Sequence, residues 1–411
     1  GGRSSTGGPA TRRLRQALVA AQFAVATPLL IGSGLLLASL RQLEQVDPGF
    51  NPKGLVSAAL LLPAERYGDP ARIQGFWDRL KSELETLPGV AGVAFADGRP
   101  PRGVGNINNF DLEDRPTPAG ESQPTAPWVS VSPEYFAQMG IPLLAGRGFD
   151  SSEAAPDAPE VVVVDRAWAE RYFPGQNPLG KRLHEGGSSS WTTVVGVVGE
   201  VKYLGLDQPD QGTVYWPIVQ RSPRSPMERF SSRFAYFFVR TAAEPRALLP
   251  AVRQVVRRLD PALPLEEAAT QDELLRDAVE VPRLLSTLVL GFALVALLLS
   301  VVGIYGVMSY FVQQHTREIG IRLALGGRPQ AVRRLVVSRG LQVVALGVAL
   351  GLVAALALSG LLASLLFQVE PTDPRTFLVV ATALLTAAFL ACLLPARKAA
   401  AVDPATTLRA E

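Results

Sequence analysis

The chain has 411 residues, of which 48% are hydrophobic and 19% charged, with a formal net charge of +3. So apolar a chain is not a disordered one, and +3 over this length is not the basic footprint of a nucleic-acid binder. A single cysteine, Cys392, excludes an intrachain disulfide framework.

Residues 1–16 carry Arg3, Arg12, Arg13 and Arg15 and no acid, behind a Gly/Ser-rich opening that reads as a flexible linker. Residues 17–40 hold no charge at all, long enough for a bilayer-spanning helix of about 20 residues and too long for a signal-peptide core. Pro28 sits midway in that run and predicts a kink unless neighbours compensate. Residues 41–283 are polar enough to be a folded domain. They open with a strand near 55–62, a helix with apolar residues at Ile73, Phe76, Leu80, Leu84 and Leu87, and a strand at 90–96. The same order returns near the end: a strand at 234–241, a helix at 245–259, a short strand at 265–268. Two strand–helix–strand units so far apart predict one split lobe carrying an inserted lobe at about 100–230. The insert is richer in strands, at 128–131, 161–165, 192–198 and 213–217, while 99–127 and 220–232 read as Pro/Ser/Arg-rich mobile loops. The five tryptophans, Trp77, Trp128, Trp168, Trp191 and Trp216, all lie here and read as core or lobe contacts rather than a ligand cage.

Three more charge-free runs follow, at 284–312, 340–368 and 376–396. Between them lie a basic connector, 313–339, and a short link, 369–375; a tail, 397–411, ends the chain. If all four runs span, residues 1–16, 313–339 and 397–411 share one side and together carry +10, while 41–283 and 369–375 carry −7 on the other. The Lys/Arg bias puts both termini and the connector in the cytoplasm and the large domain outside.

Chemistry is sparse. Gly175, Gly180 and Lys181 approximate a phosphate-binding loop, but Arg182 stands where a Mg²⁺-binding Ser or Thr is needed, so a turn is the better reading. His184 and His315 have no partners at metal-ligand spacing. No nucleophile-elbow motif appears. The spans lack Asp, Glu, Lys, Arg and His, against a proton-coupled carrier. Gly347 and Gly351 form a Gly-xxx-Gly pair suited to close helix packing. In the connector, Ile319, Leu323 and Ala324 can share a helical face that Arg317 and Glu318 avoid. This fits either a linker at the lipid headgroups or a helix that docks on a cytosolic partner.

The connector TREIGIRLALG (316–326) resembles the signature of MacB/FtsX-type ABC transporter permeases, as does the tail LPARKAAAVDPATTLRAE (394–411). SPEYFAQMGIPLLAGR (132–147), FPGQNPLGKR (173–182), VVGVVGEVK (194–202) and LDPALP (259–264) resemble their periplasmic domain. The similarity covers essentially the whole chain. It is strongest to the tandem-duplicated permeases of acidobacteria, this chain resembling the C-terminal half. The resemblance implies a membrane protein of four transmembrane α-helices in a 1+3 layout, with a two-lobed α+β periplasmic domain between the first and second. It implies no enzyme and no cofactor in this chain. Its implied partners are a cytosolic ABC ATPase, a second permease half or homodimer partner, the lipid bilayer, and in some systems a periplasmic adaptor with an outer-membrane channel. Arg317, Glu318, Ile319, Gly320, Ile321 and Arg322 are the implied ATPase-coupling residues. The implied mechanism is mechanotransmission for efflux or export; the same motifs also serve FtsX-like transmitters that regulate a cell-wall partner. Gly327-Arg328-Pro329 departs from the family pattern and predicts an abrupt end to the connector helix.

Overall fold

The computed structural model describes residues 9–154, 158–186, 190–218, 233–325 and 328–401. In chain order the elements are α1 (Pro9–Glu44), β1 (Leu55–Leu61), α2 (Pro70–Glu85), β2 (Val90–Ala96), β3 (Asn106–Leu112), β4 (Thr125–Val131), α3 (Tyr135–Met139), β5 (Leu143–Gly146), β6 (Val161–Asp165) and α4 (Arg166–Tyr172). Then come β7 (Arg182–Glu185), β8 (Thr192–Val198), β9 (Val214–Pro217), β10 (Phe234–Thr241), α5 (Pro245–Leu259), β11 (Glu266–Thr270), α6 (Gln271–Ala278), α7 (Glu280–Gln314), α8 (Thr316–Ala324), α9 (Pro329–Leu362) and α10 (Pro374–Ala400). They divide into two compact units: Val46–Val279, and the helices before and after it.

In the Val46–Val279 unit, β11, β1, β10 and β2 lie side by side in that order, all antiparallel. With α2 and α5 as crossovers this is a split β-α-β motif, strand order 4-1-3-2, interrupted between its second and third strands. Side chains alternate across β10. Phe237 and Val239 join Phe76, Leu80, Leu84, Val252 and Val256 under the helices, while Phe238 turns to the opposite face with Tyr135, Phe136 and Met139. α2 starts sharply because the Asp69 carboxylate accepts the Ala71 N–H at 3.1 Å and Pro70 stands at the first turn.

The insertion forms a ring of six strands. β4 pairs β3, β3 pairs β7, β7 pairs β8, β8 pairs β6, β6 pairs β9, and β9 returns to β4. β5 adds to β8. Closure removes most free strand edges. One ladder joins ring to split motif, at Ala96 opposite Val131, with Ser132 N–H bonding the Phe95 carbonyl at 2.9 Å. The core continues beneath that ladder: Ala94 and Phe238 from one lobe pack with Val131, Val198 and Tyr215 from the other.

The ring corrects the expectation of a mobile loop over 99–127. That stretch contains β3 and the start of β4. Asn106, Asn108 and Asn109 disguise β3, whose apolar Phe110 and Leu112 are buried only because β4 and β7 flank it. Residues 220–232 lie outside the described residues. Trp77, Trp128 and Trp168 are buried, whereas Trp191 is at the surface against the His184 ring, 4.6 Å between centroids.

In the helical unit, α1, α7, α9 and α10 are each long and apolar enough to cross a membrane. Val19, Phe23, Ile304, Met308, Val344, Val348, Leu384 and Ala388 form their shared core. α9 stops at Leu362, before the charge-free run ends at Gln368. α1 runs unbroken through Pro28. Proline has no N–H for the Ala24 carbonyl one turn back, and that carbonyl lies against Gly351 of α9. Hydroxyls inside the helices bond their own backbone: Thr27 to Phe23, Ser286 to Pro282 and Ser300 to Ala296, each at 2.7 Å.

Candidate coupling site

α8 follows α7 almost without a break. His315 supplies the joint: its N–H bonds the Phe311 carbonyl at 3.1 Å, its carbonyl accepts from Ile319 N–H at 2.9 Å, and its Nδ1 lies 2.9 Å from the Phe311 oxygen. Thr316 Oγ1 donates back to the Val312 carbonyl at 2.9 Å. Backbone groups that a helix end would leave bare are thereby satisfied. At the far end Leu325 N–H bonds the Ile321 carbonyl at 3.0 Å, and α9 starts at Pro329 after an extended Arg328. Gly326 and Gly327 lie outside the described residues.

The nine residues of α8 divide into two faces. Ile319 and Gly320 are buried, Ile319 among Phe311, Val312, Val332 and Val336 of the helical core, and Leu323 packs beside them. Arg317, Glu318, Ile321 and Arg322 are exposed. Glu318 and Arg322 pair at 2.8 Å, one turn apart. Ala324 is exposed, not on the inner face: its position turns past the Ile319–Leu323 stripe. α8 is thus anchored by one apolar stripe and presents a mixed face: Arg317, the Glu318–Arg322 pair and an apolar Ile321, followed by Leu325 at 84% exposure. Such a face suits a protein surface better than bulk water.

Gly347 and Gly351 both face α1. A Cβ on Gly347 would stand 2.5 Å from the Ala20 carbonyl oxygen and 2.8 Å from Phe23 Cβ. On Gly351 it would stand 2.5 Å from Thr27 Cβ. The Lys181 amine, at the phosphate-loop lookalike, pairs with the Asp114 carboxylate.

Sequence reasoning missed a polar cluster where the lobes join. Asp97 follows β2, is buried, and accepts the Ser130 N–H at 2.8 Å. Burial pushes its pKa up to about 7 despite that hydrogen bond. Arg99, only 1% exposed, lies over the Tyr236 ring and donates to the Glu267 carbonyl at 2.8 Å and to the same residue's carboxylate. Glu267 adopts a φ of 48°, turning both groups toward the guanidinium. Arg102 pairs with Asp277 of α6 at 2.9 Å. The available signal was the run Asp97-Gly98-Arg99 directly after an apolar strand.

Comparison with known proteins now decides the family. The MacB-like periplasmic core domain profile matches residues 22–259, more than half of the chain, and the FtsX-like permease C-terminal profile matches 290–404. The chain belongs to the MacB-like permeases. The permease is 27% identical over 348 residues to the probable syringafactin export ATP-binding/permease protein SyfD of Pseudomonas syringae pv. tomato, covering 79% of this chain and 50% of that one. It is 24% identical over 309 residues to the macrolide export ATP-binding/permease protein MacB of Acinetobacter baylyi, covering 71% and 43%. The permease spans half or less of the length of these relatives. Among solved structures, the periplasmic region of MacB from Actinobacillus actinomycetemcomitans aligns at TM-score 0.39 and 14% identity, covering 58% of this chain and 98% of that one. The permease is accordingly a multi-pass membrane protein in the 1+3 layout, with a two-lobed α+β domain of periplasmic-core type between its first and second spans.

Proposed function

We propose that the chain is the permease part of an ABC-type exporter, converting ATP hydrolysis by a cytosolic partner into motion of its outer domain. The observation that carries this is α8. It is held to the bundle core through Ile319 and Gly320 and presents Arg317, Glu318, Ile321 and Arg322 outward. A partner moving that face moves α7 and α9 with it, since α8 lies between them in the chain, and α1 and α7 lead directly into the outer domain. Relatives named for export of syringafactin, pyoverdine and macrolides support the transport reading. The charge-free spans support a mechanism in which substrate is driven outside the bilayer core rather than through it.

In this reading both termini and α8 are cytoplasmic, Gly347 and Gly351 seat α9 on α1, and a second permease half or copy completes the machine. A periplasmic adaptor and an outer-membrane channel extend the route. ATPase activity resides in the partner, and this chain performs no catalysis.

The test is reconstitution with a cytosolic ABC ATPase that co-purifies with this permease. Arg317→Glu and Gly320→Trp should each abolish the permease-dependent change in ATP turnover while the two proteins still fold. Unchanged coupling in both variants overturns the proposal.

A further inference from the structure

Two arginines at one end of the helical unit are held in an unusual way. The Arg15 guanidinium of α1 lies 4.0 Å over the ring centre of Tyr310, and that of Arg339 of α9 lies 5.1 Å over the ring of Phe311. The two aromatics are neighbours on α7, so both cations sit at one level, on opposite partners of the same helix. Cation–π stacking occupies the guanidinium face but leaves its positive charge and its in-plane N–H donors unspent. Among the described residues neither arginine has a carboxylate partner, whereas Arg322 is paired with Glu318, and Arg283 at the other end of α7 with Glu44 at 2.6 Å. The Tyr310 phenol accepts from Gln314 Nε2 at 2.6 Å and keeps its own proton to donate. Arg333 and Arg334 add exposed charge on α9 at the same end. Fixed donors without anions, where spanning helices leave the apolar region, match a phosphodiester headgroup with net negative charge.

We infer that this end of the helical unit binds anionic phospholipid, with Arg15 and Arg339 as its two fixed contacts. The structure thereby separates two sets of cations: those of α8, partly neutralised by Glu318, and the stacked pair, reserved for lipid. The inference does not depend on a transport role and stands or falls separately from it.

The experiment is lipid retention by the purified full chain, measured by native mass spectrometry after incubation with equimolar phosphatidylglycerol and phosphatidylcholine. Phosphatidylglycerol should be retained preferentially, and the preference should fall as salt rises. Arg15→Gln with Arg339→Gln should reduce it about thirtyfold, the effect of removing two cations near an anionic surface. Arg41→Gln with Arg375→Gln, at the opposite end, should leave it intact. Equal retention of the two lipids, or less than about a threefold loss in the Arg15/Arg339 variant, overturns the inference, as does displacement of lipid by millimolar inorganic phosphate. If the double variant does not fold, the wild-type lipid preference and its salt dependence decide alone: equal retention, or a preference that salt leaves unchanged, overturns the inference.

Discussion

Gly347 of α9 lies so close to Ala20 of α1 that a methyl group on it would stand 2.5 Å from the Ala20 carbonyl oxygen. Backbone, not a flexible side chain, is the obstacle, so the helices must separate to admit any larger residue. Gly347→Ala and Gly351→Ala should each destabilise the helical unit by about 1–3 kcal/mol. Gly360→Ala, with nothing within 4 Å of the new carbon, should be neutral or slightly stabilising. Helical circular dichroism during thermal unfolding in detergent measures all three, and equal melting of Gly347→Ala and Gly360→Ala would contradict the packing described.

Asp97 predicts a pH dependence of the outer domain. Its folded pKa is raised to about 7, so the folded state takes up a proton that an unfolded carboxylate refuses until about pH 4. Stability should therefore rise as pH falls from 8 to 5 and be lost as pH climbs through 7. Asp165, also buried with a pKa near 7, acts in the same direction. Asp97→Asn should flatten the slope without abolishing it and raise the midpoint at pH 8. Tryptophan fluorescence isolates this signal, because all five tryptophans belong to the Val46–Val279 unit.

Arg99 and Glu267 form a pair of unequal members, one enclosed and one half in solvent. Removing the exposed carboxylate leaves a buried cation with only the Glu267 main-chain carbonyl and the Tyr236 face, at a cost of about 1–3 kcal/mol. Glu267→Ala should therefore destabilise the outer domain more than Arg99→Met, which removes the charge and keeps much of the volume. Fluorescence-detected urea unfolding of the two variants tests the order.

Gly49 supplies a backbone test. It adopts a φ of 80°, and any side chain there would overlap the Glu200 carbonyl. The contact is reinforced by Lys202 N–H bonding the Pro48 carbonyl at 3.1 Å. Gly49→Val should lower expression of folded protein sharply, while Gly120→Val, also left-handed but with open space around it, should cost about 1–2 kcal/mol.

Much of this was legible in one dimension because the signals are local. A charge-free run long enough to span needs no partner to be recognised. The stripe of Ile73, Phe76, Leu80 and Leu84 is visible because a helix repeats every 3.6 residues. β3 was illegible for the opposite reason: three asparagines occupy positions that only pairing with β4 and β7 makes strand. Within α8 the basic and acidic residues were evident, yet Ala324, one residue past Leu323 and so rotated about 100° around the helix, lies off the inner face.

By itself the sequence determined the layout: which segments are apolar throughout, how Lys and Arg distribute between them, and which motif lies between the second and third spans. Composition and spacing suffice there, since transfer of a segment to a bilayer depends on its own side chains. Tertiary structure alone decided that the inserted strands close into a ring, that Asp97 and Arg99 are enclosed at the lobe junction, and that Arg15 and Arg339 stack on adjacent rings of α7. Each of these depends on contacts between residues far apart in the chain, whose burial and charge environment exist only once the chain has folded.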